Sequence, residues 1–84
     1  MMPIQQLLQR IRWDSEFGAG EFVIGYYDRL KQGIVLIPLK AISLRSDDHY
    51  DFQFLDDNGE QHSVPLHRIK EVYRSGELIW HREH

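Results

Sequence analysis

The sequence predicts an α+β domain, a short N-terminal helix packed on a strongly curved antiparallel sheet or small barrel of about five strands. Three observations predict it. An apolar stripe at helical spacing occurs with conviction only between Pro3 and Arg12, where Ile4, Leu7, Leu8 and Ile11 fall at i, i+3, i+4 and i+7. From Glu21 onward the pattern becomes short alternating runs rich in Ile, Val, Tyr and Phe. Those runs are separated by brief turn signals, Leu30-Lys31-Gln32-Gly33, Asp57-Asn58-Gly59 and Ser75-Gly76. Connections so short join antiparallel neighbours and leave no length for helical crossovers.

The elements follow in order. Pro3 suits a first helical turn, where its missing N–H costs nothing. A helix this short is unstable alone, so its stripe must dock on the sheet. Trp13 to Gly20 is a loop broken by Gly18 and Gly20. Glu21 to Arg29 places Phe22, Ile24 and Tyr26 on one face and Val23, Gly25 and Tyr27 on the other, as in a central strand or barrel wall. Gly33 to Leu39 is its hairpin partner. Lys40 to Arg45 fits either a continued strand or a helical turn. Tyr50 to Leu55 alternates again, with Tyr50, Phe52 and Phe54 toward the core. Asn58-Gly59 supports the positive φ angles of a tight hairpin to Gln61 through Leu66. A helical stripe also fits Leu66, Ile69, Val72 and Tyr73, but a turn at His67-Arg68 followed by strand Ile69 to Arg74 is preferred, because Ser75-Gly76 then closes a last hairpin to Glu77 through Arg82. No linker or internal repeat is evident, and residues 1–84 read as one domain.

Composition narrows the chemistry. There is no cysteine, which excludes a disulfide framework and a thiolate metal site. Met1-Met2-Pro3-Ile4 lacks the basic and apolar regions of a secretion signal, and Ile34 to Leu39 is too short to span a bilayer, so a cytoplasmic location is expected. The net charge of −3 is unevenly spread. Asp47 to Glu60 holds six acidic residues and no Lys or Arg, while the remainder is net basic, and seven of the ten basic residues are arginine. Such a chain should bind long duplexes poorly, since nonspecific affinity comes from releasing many counterions. A local site for one compact anion is compatible with it, and arginine's fork geometry suits phosphate or carboxylate.

The run Val64-Pro65-Leu66-His67-Arg68-Ile69 sets an imidazole beside a guanidinium after a proline. Arg12, Arg29 and Arg82 sit in comparable settings, in Ile11-Arg12-Trp13-Asp14, Tyr27-Asp28-Arg29 and Trp80-His81-Arg82. The plainer reading of these arginines is a surface balanced by nearby acids. Trp13, Tyr26, Tyr27, Tyr73 and Trp80 are of a type that stacks nucleobases, although in a small domain most aromatics belong to the core, and Trp13 and Trp80 stand out because each adjoins an arginine near an element end. Asp14 and Asp28 would either orient arginine forks or pair weakly at the surface. His49, His62, His67, His81 and His84 show no HExxH or comparable ligand spacing, so no metal is expected, and no cofactor motif is present. Nucleophile signatures are missing, and His62-Ser63 is a single imperfect copy of the paired motif that two-histidine phosphoesterases require.

These residues carry a family likeness. Ile11-Arg12-Trp13-Asp14, Phe22-Val23-Ile24-Gly25-Tyr26-Tyr27-Asp28-Arg29, apolar Ile34 to Leu39, the Val64 to Ile69 run and Gly76-Glu77-Leu78-Ile79-Trp80-His81-Arg82 occur in order over nearly the whole chain. The sequence resembles the RNA cyclic-group-end recognition domain, a small family found alone or fused to RNA-processing modules. The resemblance implies recognition of RNA ends that carry a 2′,3′-cyclic phosphate or related terminal phosphate. Carried onto this chain, His67 and Arg68 would hold the phosphate with Arg29 and Arg12 nearby, Arg82 would add charge, and Trp13, Tyr26 or Trp80 would stack the terminal base. The chain departs from the family where Trp-Asp-Arg becomes Trp80-His81-Arg82, and in a longer acidic stretch. A binding module is therefore expected rather than an enzyme, with binding that tightens mildly below about pH 6.5 as an ordinary imidazole protonates. Two alternatives remain open. One is a phosphoesterase pairing His67 with His62 or His81. The other is an adaptor that meets a protein partner through an acidic edge within 47–60.

Overall fold

The computed structural model describes residues 2–44 and 51–83. Helix α1, Ile4–Trp13, is followed by β1, Phe22–Asp28, β2, Gly33–Pro38, β3, Ile42–Leu44, β4, Asp51–Leu55, β5, Gln61–Pro65, β6, Ile69–Arg74, and β7, Glu77–His81. The strands form two antiparallel sheets, ordered β2-β1-β6-β7 and β3-β4-β5. The fold class is the expected α+β, and the sheets do not close into a barrel.

The helix buries Ile4, Leu7 and Leu8, the predicted stripe, with Ile11 half-buried. Pro3 lies just ahead of the first turn as its cap residue, at φ −62° and ψ 147°. The inner face of the larger sheet contributes Phe22, Ile24, Tyr26, Ile69, Val72 and Trp80 to the same core. The smaller sheet closes over it: Tyr26 meets Phe52 edge-on at 5.7 Å and Phe54 at 5.9 Å between ring centroids. Two layers thus bury the residues that strand alternation assigned to one side. Among the described residues nothing covers the opposite face of the larger sheet, where Ile34, Leu36 and Leu78 are exposed.

The segment from Lys40 contains both alternatives as far as Leu44, a 3₁₀ turn, Leu39–Ala41, and then the short β3, while Arg45 lies outside the described residues. With β3 included, the described residues hold seven strands, divided between two sheets, against the expected five or so. A second 3₁₀ turn, Leu66–Arg68, joins β5 to β6. Both turns carry the chain from one sheet to the other, and they match in sequence. Ile37-Pro38-Leu39-Lys40-Ala41-Ile42 and Val64-Pro65-Leu66-His67-Arg68-Ile69 each place an extended proline (φ −62° and −61°) before the turn. In each, the Ile N–H closes the turn on the Leu carbonyl. The chain does contain a short repeat, then, of one crossing motif too brief to register as a period.

One of the two glycine turns differs from expectation in an instructive way. At Asn58-Gly59 only Gly59 has positive φ, +80°. The Asp56 carboxylate instead accepts from the Asn58 and Glu60 N–H groups, both at 2.9 Å, and shapes a longer loop. The tight primed turn occurs at Ser75-Gly76, with φ +49° and +85°. The acidic segment also changes character. Strand β4 is the middle strand of its sheet, so Asp51 to Glu60 offers no free strand edge. Tyr50 and the acids Asp47 and Asp48 lie outside the described residues.

Candidate functional site

The second 3₁₀ turn is the centre of the site. Pro65 fixes extended backbone at the end of β5, and Leu66 plugs the core at 5% exposure. The next two residues, His67 and Arg68, are thereby projected outward. Their backbone is held from β7. Arg82 Nε donates to the Ile69 carbonyl at 2.9 Å and Nη2 to the Leu66 carbonyl at 3.2 Å, while the Arg82 N–H donates to the Lys70 carbonyl at 2.9 Å. A cation at carbonyls beside a helical turn also meets their partial negative charge, here adding a second donor to the Leu66 carbonyl that already accepts from the Ile69 N–H. Burial lowers the Arg82 pKa from the ordinary value, yet an arginine remains charged in a protein. Its guanidinium lies 5.0 Å from the Trp80 ring centre, and Trp80 Nε1 donates to the Met2 carbonyl at 2.7 Å. The last strand therefore ties down both the turn and the chain's first residues.

Two recesses flank this turn, and His67 lines both. One, of about 440 Å³, is bounded by Tyr27, Arg29, His67, Arg68 and Lys70. Its lining has, among the described residues, three permanent cations and no carboxylate. Among the described residues the ion pairs are Arg10–Asp14 and Asp56–His62, so none of these three cations is neutralised by a carboxylate there. The other recess, of about 530 Å³, has walls formed chiefly by Pro3, Ile4, Leu66 and Trp80, with Arg82 and Asp51 as its charged members.

The structure sorts the residues singled out in the sequence. His67, Arg68 and Arg29 come together in the basic recess. Trp80 and Arg82 join His67 in the apolar one, Arg82 with its donors aimed at backbone carbonyls. Arg12 is elsewhere, beside Leu8, Leu39 and Ile42 at the first 3₁₀ turn. Trp13, 73% exposed at the end of α1, lines neither recess. Tyr26 is a core residue packed on Phe52, unavailable for stacking on a ligand. Asp28 orients no arginine. Its carboxylate accepts from the Leu30 and Lys31 N–H groups and builds the β1–β2 turn. Asp14 likewise accepts from Glu16 and Phe17 N–H, with Arg10 at 3.7 Å. The Phe17 bond leads in holding its carboxyl below the usual value, against a smaller opposing effect of desolvation.

Of the basic recess, Lys70 escaped sequence reasoning, while Tyr27 was singled out there only as one of the aromatics able to stack bases. Tyr27 was legible: alternation from the buried Tyr26 puts it on the outer face. Lys70 was not. The β1–β6 register passes from Gly25 opposite Glu71 to Tyr26 opposite Ile69, which leaves Lys70 as the extra residue of a bulge. Such a bulge turns a side chain out of strict alternation, and only strand pairing reveals it.

Among the described residues the other histidines, His62 and His81, stand apart from the turn, and His49 and His84 lie outside the described residues. His62 bonds Asp56 at 2.7 Å in the β4–β5 hairpin and stacks on Phe54. His81 sits opposite Glu71 on β7 and lines neither recess. Asp56, Glu60 and His62 bring potential metal donors within 4.8 Å of one another, but the Asp56–His62 pair and the backbone bonds of Asp56 already account for that cluster. Among the described residues no helix is long and apolar enough to cross a membrane.

Comparison with known families places a model described as the MJ1316 RNA cyclic group end recognition domain on residues 1–82. No curated protein and no solved structure matches the chain.

Proposed function

The chain belongs to the MJ1316 RNA cyclic group end recognition domain family, and from that premise we propose that it binds RNA ends bearing a 2′,3′-cyclic phosphate at the Leu66–Arg68 turn. The observation that carries the reading is the position of His67 as the wall shared by a basic and an apolar recess. An RNA end has the same two-part chemistry, an anionic group fixed to a largely apolar nucleoside. The phosphate oxygens meet Arg29, Arg68 and Lys70, and His67 donates a hydrogen bond at the junction. Three unneutralised cations around one compact anion suit a local contact, whereas extended duplex binding requires many phosphate contacts.

Binding is favoured over hydrolysis by the arrangement of histidines. Opening a cyclic phosphate by acid–base catalysis calls for two proton-transfer groups on the reacting phosphate. Among the described residues His67 is the only histidine lining either recess. A protein partner meeting an acidic strand edge has no such support, since β4 is an interior strand.

The test compares three labelled RNAs that differ only in ending with a cyclic phosphate, a 3′-phosphate or a 3′-hydroxyl. Anisotropy titrations are expected to show the cyclic end bound at least about tenfold more tightly than the hydroxyl, the effect of one charge-assisted contact set. His67→Ala and Arg68→Ala should each reduce that ratio. Equal affinity for the three ends would overturn the proposal. Appearance of a ring-opened product, lost in His67→Ala, would replace binding with catalysis.

A further inference from the structure

We propose that the apolar recess beside His67 seats the terminal nucleoside and that Asp51 makes it prefer guanine. The inference rests on the end-recognition reading and deepens it. At about 530 Å³ the recess falls in the range of small-molecule sites. The Trp80 indole N–H is already spent on the Met2 carbonyl and the ring is only 7% exposed, so what it shows the recess is a strip of carbon surface rather than an open stacking face. Arg82 is similarly committed to the Leu66 and Ile69 carbonyls. Asp51 differs from both. Among the described residues it is the single acidic residue of the lining, half-buried, and its carboxylate accepts only a long contact of 3.4 Å, from Ser63 Oγ to Oδ2.

An ionised carboxylate only accepts hydrogen bonds. A base edge opposite it is therefore selected by its donors. Guanine alone presents two adjacent donors, N1–H and the 2-amino group, matched to the two oxygens of one carboxylate. Adenine and cytosine each present one amino group beside a ring-nitrogen acceptor, which the carboxylate repels. Uracil sets its N3–H between two carbonyl oxygens and is disfavoured most. The shared His67 wall gives the order of parts: phosphate in the basic recess, ribose at the imidazole, base on the apolar wall of Pro3, Ile4 and Leu66 with its edge toward Asp51.

The experiment uses the full chain and the four nucleoside 2′,3′-cyclic monophosphates, titrated by calorimetry. The guanosine compound should bind tightest and the uridine compound weakest, about tenfold apart, as for one added pair of charge-assisted hydrogen bonds. Asp51→Asn should bring the four within about twofold, while Asp51→Glu, which retains the carboxylate, preserves the ranking. Matching melting curves for the variants exclude unfolding as the cause. Equal wild-type affinities for the four compounds, or a ranking unchanged in Asp51→Asn, would overturn the inference. Guanosine without phosphate separates the two proposals. If it binds as well as its cyclic phosphate, end recognition fails, and the base ranking is judged independently. Failure of all four compounds to bind overturns both.

Discussion

At the residue scale, Arg82 shows how a charged side chain can serve a site without facing the ligand. Its fork joins β7 to both ends of the turn that carries His67 and Arg68. Arg82→Lys keeps the charge but lacks the planar fork, so the two carbonyls cannot both be reached. Its melting temperature should fall by several degrees, as for a loss of about 1 kcal/mol in a domain of this size, and its preference for cyclic ends should fall with it. Glycines make a second contrast. A Cβ on Gly18 would lie 2.3 Å from the Ile11 carbonyl oxygen, rigid backbone at the end of α1. Gly18→Ala should cost about 1–3 kcal/mol in denaturant unfolding. At Gly25 a Cβ would meet Ile34, Leu36 and Glu71 side-chain ends at 3.0–3.1 Å. Those ends lie on the open sheet face and can shift, so Gly25→Ala should stay within about 1 kcal/mol of wild type.

At the element scale, the β4–β5 hairpin depends on one carboxylate. Asp56 takes the Asn58 and Glu60 N–H groups and the His62 ring, and the His62 bond is the main reason its pKa lies below the ordinary 3.8. A carboxyl whose folded pKa is depressed stabilises the fold above its unfolded value, and that contribution drains as pH falls through the folded one. Wild type should therefore exceed Asp56→Asn in stability at pH 5, and the gap should close in melts run well below pH 3.8. The two crossing turns carry the complementary lesson. Equivalent Pro-Leu-x-x-Ile segments build equivalent backbone, and the x-x pair decides its chemistry, Lys40-Ala41 at one crossing and His67-Arg68 at the other.

For the whole molecule, the two layers meet through a few large side chains, with Phe52 fully buried against Tyr26. Phe52→Ala should remove about 3–5 kcal/mol. A small domain holds little more than that, so a broad thermal transition and lost near-UV dichroism are expected. The overall charge of −3 acts in the opposite sense to the three cations around His67. A site that touches one to three phosphates of a single strand should show a log–log salt slope between about −0.7 and −2. A much steeper slope would mean that the chain tracks an extended backbone.

What the sequence determined by itself is local. Helix α1, the turn at His67-Arg68, strand β6 and the β1–β2 hairpin were legible because apolar period, proline and glycine act within a few residues. The cluster of His67, Arg68 and Arg29 was legible in part, since a family pattern spans the chain. Tertiary structure decided which arginine faces outward and which braces the backbone, for side-chain direction depends on what the strands pair with. Arg82 and Arg68 are indistinguishable as letters, yet the β6–β7 pairing sends one to carbonyls and leaves the other in a recess. The same long-range pairing turned Lys70 outward through a bulge, buried Tyr26 between two sheets and left Arg12 and Trp13 away from the turn. Register and layer packing join residues tens of positions apart, and no local pattern encodes the cost of a single-residue slip between them.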